Sequence, residues 1–208
     1  MTLVDLSEND IEFLPEGIFY SNHKLKLVNL GSNKLKYFYF DEFDHSSSIK
    51  FDLSYNLIEN IYDKSENFRR NNKIALNNNE FWTFNFEILK FYKEVLFLDL
   101  SFNKITNFTF SNDKFDHSLN FINLSNNLIE FIQNGFLTNL ILLEEINFSH
   151  NKLKQIEPDA FKKLLNLKKL KLNNNKLEYL NESLFIDIKE LIELDLSFNF
   201  VLNLDNII

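Results

Sequence analysis

The 208-residue chain contains no cysteine. That removes disulfide frameworks and thiolate metal sites, and it leaves the compartment open. Glycine and proline are nearly as scarce, at three and two residues. A phosphate-cradling loop needs clustered glycines, and Gly17, Gly31 and Gly135 are too far apart to make one. No apolar run approaches the ~20 residues of a membrane-spanning helix. The opening stretch from Met1 to Asn9 lacks a basic start and an apolar stretch after it, so it does not read as a signal peptide. Positive charge is in deficit too, with 22 Lys and Arg against 30 Asp and Glu. The net charge of −8 is expected to repel duplex nucleic acid, and no basic face large enough to overcome it stands out. Nucleic acid is therefore not an expected partner.

What is present is a hydrophobic fraction of 45%, with 24 Phe, and abundant Asn. A chain that turns often without Gly or Pro needs another residue to satisfy loop backbone, and Asn can do so. Asn recurs in register at Asn9, Asn33, Asn56, Asn79, Asn103, Asn127, Asn151, Asn175 and Asn199. The spacings are 24, 23, 23 and then 24 throughout. Around each anchor the pattern is L-x-x-L-x-L-x-x-N-x-L-x-x-L. Its clearest copies run from Leu167 through Asn175 to Leu180 and from Leu119 through Asn127 to Ile132. The third and fourth copies depart from it, with Ser48 and Asn71 at the first apolar position.

The L-x-L alternation has period two, so it predicts a short strand with one buried face. The anchor Asn both donates and accepts hydrogen bonds. Turned inward, it is expected to satisfy backbone groups of its own copy and the next. Ten residues past the anchor stand Phe19, Phe43, Phe161 and Phe185, with Phe68, Phe115 and Phe136 nearby in other copies, predicting a spine of phenylalanines. One copy cannot bury its own apolar face, so the copies must stack.

These motifs resemble the leucine-rich-repeat family along residues 1–208. The 24-residue length and the tails Leu14–Phe19 and Ile156–Phe161 are similar to its typical subclass. The resemblance implies an α/β fold: a right-handed solenoid, or horseshoe, with a concave parallel sheet of about nine short strands and an irregular or short-helical convex side. It implies one domain over 1–208. Neither end carries a capping turn, so the chain is expected to be a fragment of a longer protein.

Side chains between the buried strand positions are expected to face a partner. The middle copies place Phe97, Phe102 and Phe121 close together, with Tyr55 farther along and Lys50, Asp52 and Asp99 beside them. Aromatics with a polar rim predict a partner-binding patch. Mutual stacking of these Phe is the alternative. The Asp-Leu-Ser-x-Asn string at Asp5, Asp52, Asp99 and Asp195 reads as structural, because Asn29, Ala75 and Lys171 interrupt any acidic stripe. Glu145, Lys169 and Glu193 on successive copies predict a self-neutralising ladder. Sequons stand at Asn107, Asn123, Asn147 and Asn181, about as many as chance supplies in so Asn-rich a chain.

No metal or cofactor site and no catalytic site is expected. His23, His45, His117 and His150 show no ligand spacing. The triplets Asp44-His45-Ser46 and Asp116-His117-Ser118 cannot aim at one another as a triad does. The expected function is recognition of a protein partner by the concave face, as in receptor or adhesion ectodomains. That implies the cell surface or the exterior, with the cytoplasm as the alternative. Two other readings stay open: an intracellular scaffold or regulatory subunit, and the sensing part of a receptor enzyme.

Overall fold

In the computed structural model, residues 1–40, 43, 48–63, 73–91, 94–109, 118–135, 137 and 140–202 are described. One copy after another contributes a three-residue strand to a single nine-stranded parallel sheet. The strands run Leu3–Asp5, Leu27–Asn29, Lys50–Asp52, Lys73–Ala75, Phe97–Asp99, Phe121–Asn123, Glu145–Asn147, Lys169–Lys171 and Glu193–Asp195. Their spatial order is their sequence order, and every pair is parallel and in register. At ~4.8 Å between neighbours the sheet is roughly 38 Å across. The other side is irregular, as expected, with two short 3₁₀ turns, Phe86–Phe91 and Glu182–Phe185, and no α-helix among the described residues.

The period-two pattern does what it predicts. Each strand's central residue, from Val4 through Val28, Phe51, Ile74, Leu98, Ile122 and Ile146 to Leu170, is buried, while the flanks, buried Ala75 excepted, are half-buried or exposed. The buried residues join in one continuous core along the stack. In the last copy Leu194 and Leu196 are only half-buried.

The Asn anchors form the expected column, with one correction of direction. The amide of each anchor reaches back to the preceding copy and not forward to the next. Asn127 Nδ2 donates to Leu100 O at 2.9 Å, and Asn127 Oδ1 accepts from the Ile105 N–H at 2.9 Å. The same nitrogen donates to Leu124 O and Ser125 O of its own copy. Asn33, Asn56, Asn79, Asn103, Asn151, Asn175 and Asn199 repeat this arrangement. Asn9 is exposed and donates only to Leu6 O and Ser7 O.

Beyond the anchors the rim carries short parallel strand pairs: Tyr37–Tyr39 with Asn60–Tyr62, Thr83–Asn85 with Asn107–Thr109, and Phe131–Ile132 with Gln155–Ile156. They join the second copy to the third, the fourth to the fifth and the sixth to the seventh. Of the expected spine, Phe19, Phe43 and Phe161 are buried and Phe185 is partly so. Phe19 and Phe43 stack at 5.1 Å. Phe68, Phe115 and Phe136 lie outside the described residues. A denser cluster, legible in composition but not in pattern, sits where Phe51 meets Phe38, Phe40 and Phe43 edge-on at 4.9–5.6 Å.

Candidate binding face

Because every strand pairs in register, its two outward residues fall into two rows that run across the sheet. The leading row reads Leu3, Leu27, Lys50, Lys73, Phe97, Phe121, Glu145, Lys169 and Glu193. Its centre is aromatic. Phe97 and Phe121 stand directly opposite each other, with ring centroids 4.4 Å apart and planes 9° from parallel. Lys73 Nζ lies over the Phe97 ring at 4.9 Å, a cation–π contact. Both rings remain partly open to solvent. The mutual stacking posed as an alternative and the outward-facing patch thus occur together.

Towards the last copies the row carries charge of alternating sign. Lys169 Nζ lies 3.8 Å from Glu145 and 4.0 Å from Glu193, while Lys171 reaches Glu145 at 3.6 Å. This is the self-neutralising ladder predicted from the sequence.

The trailing row contains Asp52 and Asp99, and their carboxylates are occupied locally. Asp99 Oδ1 accepts from the Ser101 N–H at 3.0 Å and from Ser101 Oγ at 2.7 Å. Asp52 accepts likewise from Ser54 at 3.1 and 2.6 Å. Asn29, Asn123 and Asn147 use their amide oxygens the same way. The Asp-Leu-Ser string is therefore a turn device that ends the strands carrying it. In Asp5 and Asp195, hydrogen bonds first from the Ser7 or Ser197 hydroxyl and then from its N–H hold the carboxyl below its ordinary range. Each such carboxylate keeps one oxygen beyond this turn bond, so Asp52 and Asp99 can still accept from a partner.

Tyr55 and Phe102 are placed differently from the expectation. They lie past the strand ends, in a column with Glu8, Ser32, Asn78, Asn126, His150, Asn174 and Phe198, all at φ of 54–57°. Left-handed backbone turns the chain sharply there, just before the anchor Asn, so these residues follow the strand and are not part of it. Both rings are exposed, but Asn78 stands between them in the column, and neither makes a ring contact with Phe97 or Phe121. Lys50 is exposed on the sheet face, one strand before Lys73. The structure thus gathers Lys50, Lys73, Phe97 and Phe121, borders them with Asp52 and Asp99, and leaves Tyr55 and Phe102 on an adjoining edge.

Sequence reasoning missed a second set of exposed aromatics on the rim. Tyr39 and Tyr62 stack at 5.1 Å, Tyr37 lies 6.3 Å from Tyr62, and Trp82 is exposed beside Lys104. The period-two alternation of Tyr37 and Tyr39 around buried Phe38 was the available signal.

Of the sequons, Asn107 is exposed at the start of a rim strand. Asn123 and Asn147 sit on the open face, and Asn181 caps a 3₁₀ turn by accepting from Ser183. Asp44-His45-Ser46, Asp116 and His117 lie outside the described residues. Among the described residues there is no group of three or more His, Asp or Glu placed to hold a metal, and no helix long and apolar enough to cross a membrane.

Solved structures share this architecture. The leucine-rich repeat domain of APL1B matches with a TM-score of 0.72 at 24% identity, over 96% of this chain and 55% of that one. Toll in its complex with Spatzle, from Drosophila, matches at 0.70 and 22%, over 94% and 31%. TLR13 in its complex with the RNA ssRNA13 matches at 0.60 and 26%, over 85% and 29%. The chain thus spans about half of the first and about a third of the others. No curated protein sequence matches it. The leucine rich repeat model matches residues 1–58, 117–165 and 143–201. With that match over most of its length, and with nine copies on one parallel sheet, the chain belongs to the leucine-rich repeat family.

Proposed function

We propose that this chain is a recognition module that binds a protein partner on the open face of its sheet. The observation that carries this reading is the Phe97–Phe121 stack, kept partly exposed at the middle of that face with a cation over one ring. Exposed aromatics at the centre of a rigid face are the residue type and position that dominate binding energy in interfaces. The sheet supports them without moving, because its strands are fixed in register on a continuous core. The Toll structure contains a protein ligand, Spatzle, and the TLR13 structure contains single-stranded RNA. The net charge of −8 favours protein over RNA for this chain. The subclass resemblance favours a place at the cell surface or outside it.

The test is a photo-crosslinking amino acid placed at Phe121 and, separately, at rim residue Trp82, in cells that make the full-length protein. Crosslinking of one discrete protein species from position 121, lost on Phe97→Ala, is the expected result. Crosslinking only from position 82 would move binding to the rim. That second reading, a scaffold using its side, is favoured by the exposed Tyr37, Tyr39 and Tyr62.

A further inference from the structure

We infer that the half of the open face before Phe97 is an anion-docking surface, and that it receives an acidic, extended segment of the protein partner. The inference rests on the recognition reading above and specifies the chemistry of what is recognised. Lys50 and Lys73 are exposed and directly opposite each other on neighbouring strands. Like charges so placed repel and cost stability. Elsewhere several lysines are matched across neighbouring copies: Lys34 with Asp10, Lys104 with Glu80, Lys154 with Glu130, Lys168 with Glu144. Lys50 and Lys73 have no carboxylate in ion-pair range among the described residues, and neither do Lys24 and Lys26.

Lys24, Lys26 and Lys50 line one open groove of about 780 Å³ with Leu25, Leu27 and Ser48, and no acidic side chain is among its lining residues. The groove leads onto the sheet at Lys50, and the row continues through Lys73 to the Phe97–Phe121 pair. Among the described residues of this chain of net charge −8, the lining of the groove carries lysines and no carboxylate. Past Phe121 the row turns to the Glu145–Lys169–Glu193 ladder, whose charges are matched with one another. A uniform polyanion therefore finds unmatched cations on one half of the face and only paired ones on the other. A polypeptide that carries acidic residues followed by an apolar or aromatic one fits the order of groups, with its carboxylates at the lysines and its apolar side chain on the phenylalanine pair.

Fluorescence anisotropy on the full chain distinguishes the outcomes. The probes are a labelled dodecapeptide with four Glu followed by two Trp, the same peptide with Lys for Glu, and a labelled uridine dodecamer. The acidic peptide is expected to bind wild type in a salt-dependent manner. Lys50→Glu with Lys73→Glu is expected to weaken it at least about tenfold, and to bind the Lys peptide more tightly than wild type does. Loss of binding in Phe97→Ala with Phe121→Ala, but none in the lysine double variant, would overturn the anion surface and keep the recognition reading. Preference for the uridine strand, or binding of no peptide at all, would overturn the proposal.

Discussion

Asn127 Nδ2 and Leu100 O are 2.9 Å apart across the boundary between two copies, and they are joined by a bond that neither copy could make alone. The amide is buried, and its nitrogen also serves two carbonyls of its own copy. Asn127→Asp turns a carboxylate toward three acceptors in a site closed to water. The expected loss is about 3 kcal/mol or more, read from the urea midpoint. Asn9→Asp is the control: it is exposed and bonds only its own copy, so its loss is expected to stay within about 0.5 kcal/mol.

Phe102 is held at φ 54°, a conformation that costs an L-residue about 1–2 kcal/mol. Asn tolerates it, and Asn already stands at this register in Asn78, Asn126 and Asn174. Phe102→Asn is expected to raise stability by about 1 kcal/mol, whereas Phe102→Val, β-branched at positive φ, is expected to lower it by about as much. Paired denaturation curves decide both signs.

The Asp195 carboxylate is stabilised by the Ser197 hydroxyl and N–H, so its folded pKa lies below the ordinary aspartate value. A depressed acid contributes stability that is present above the unfolded pKa and is lost as pH falls through the folded one. NMR titration is expected to show an Asp195 midpoint below that of an unperturbed aspartate, moved upward by Ser197→Ala. Asp5, bonded to Ser7 in the same way, is expected to follow on Ser7→Ala. A midpoint that ignores the serine would show the hydroxyl to be a bystander.

Phe51 occupies a strand centre that elsewhere holds Val, Ile or Leu, and three other phenylalanines pack edge-on against it. Phe51→Ala is expected to cost about 3–5 kcal/mol, because the surrounding rings close only partly over the space left. Phe51→Leu keeps much of the volume and is expected to cost about 1–2 kcal/mol. Thermal melts of the two variants separate cavity from ring-specific packing.

The sheet was legible because buried and exposed positions alternate around each anchor, so Leu98 and Ile122 could be placed inward and Phe97 and Phe121 outward from letters alone. The direction of the Asn bonds was not legible, since an amide that serves an earlier copy or a later one leaves the same letter in the sequence. Tyr55 and Phe102 were grouped with the sheet face because they stand three residues past the strand; the Asp-x-Ser turn and the left-handed backbone set them at its edge. Asn78, Asn126 and Asn174 carried a hint of left-handed backbone there, obscured by Tyr, Phe, Glu and His at the same register. The unpaired lysines could not be found by pattern, because pairing depends on which cations lie across from carboxylates once the strands are aligned.

The rim strands link copies in couples, second with third, fourth with fifth and sixth with seventh, while the sheet runs unbroken. The molecule therefore has two rhythms, a single beat on one side and a double beat on the other. Between the couples, among the described residues, the rim is joined by fewer backbone bonds: Glu80 N–H to Ile58 O, Leu128 N–H to Ile105 O and Lys176 N–H to Leu153 O. Deuterium is expected to enter the rim in blocks of two copies, these junctions first, while the amides of the sheet exchange last. Any loosening of the stack on binding would then proceed two copies at a time.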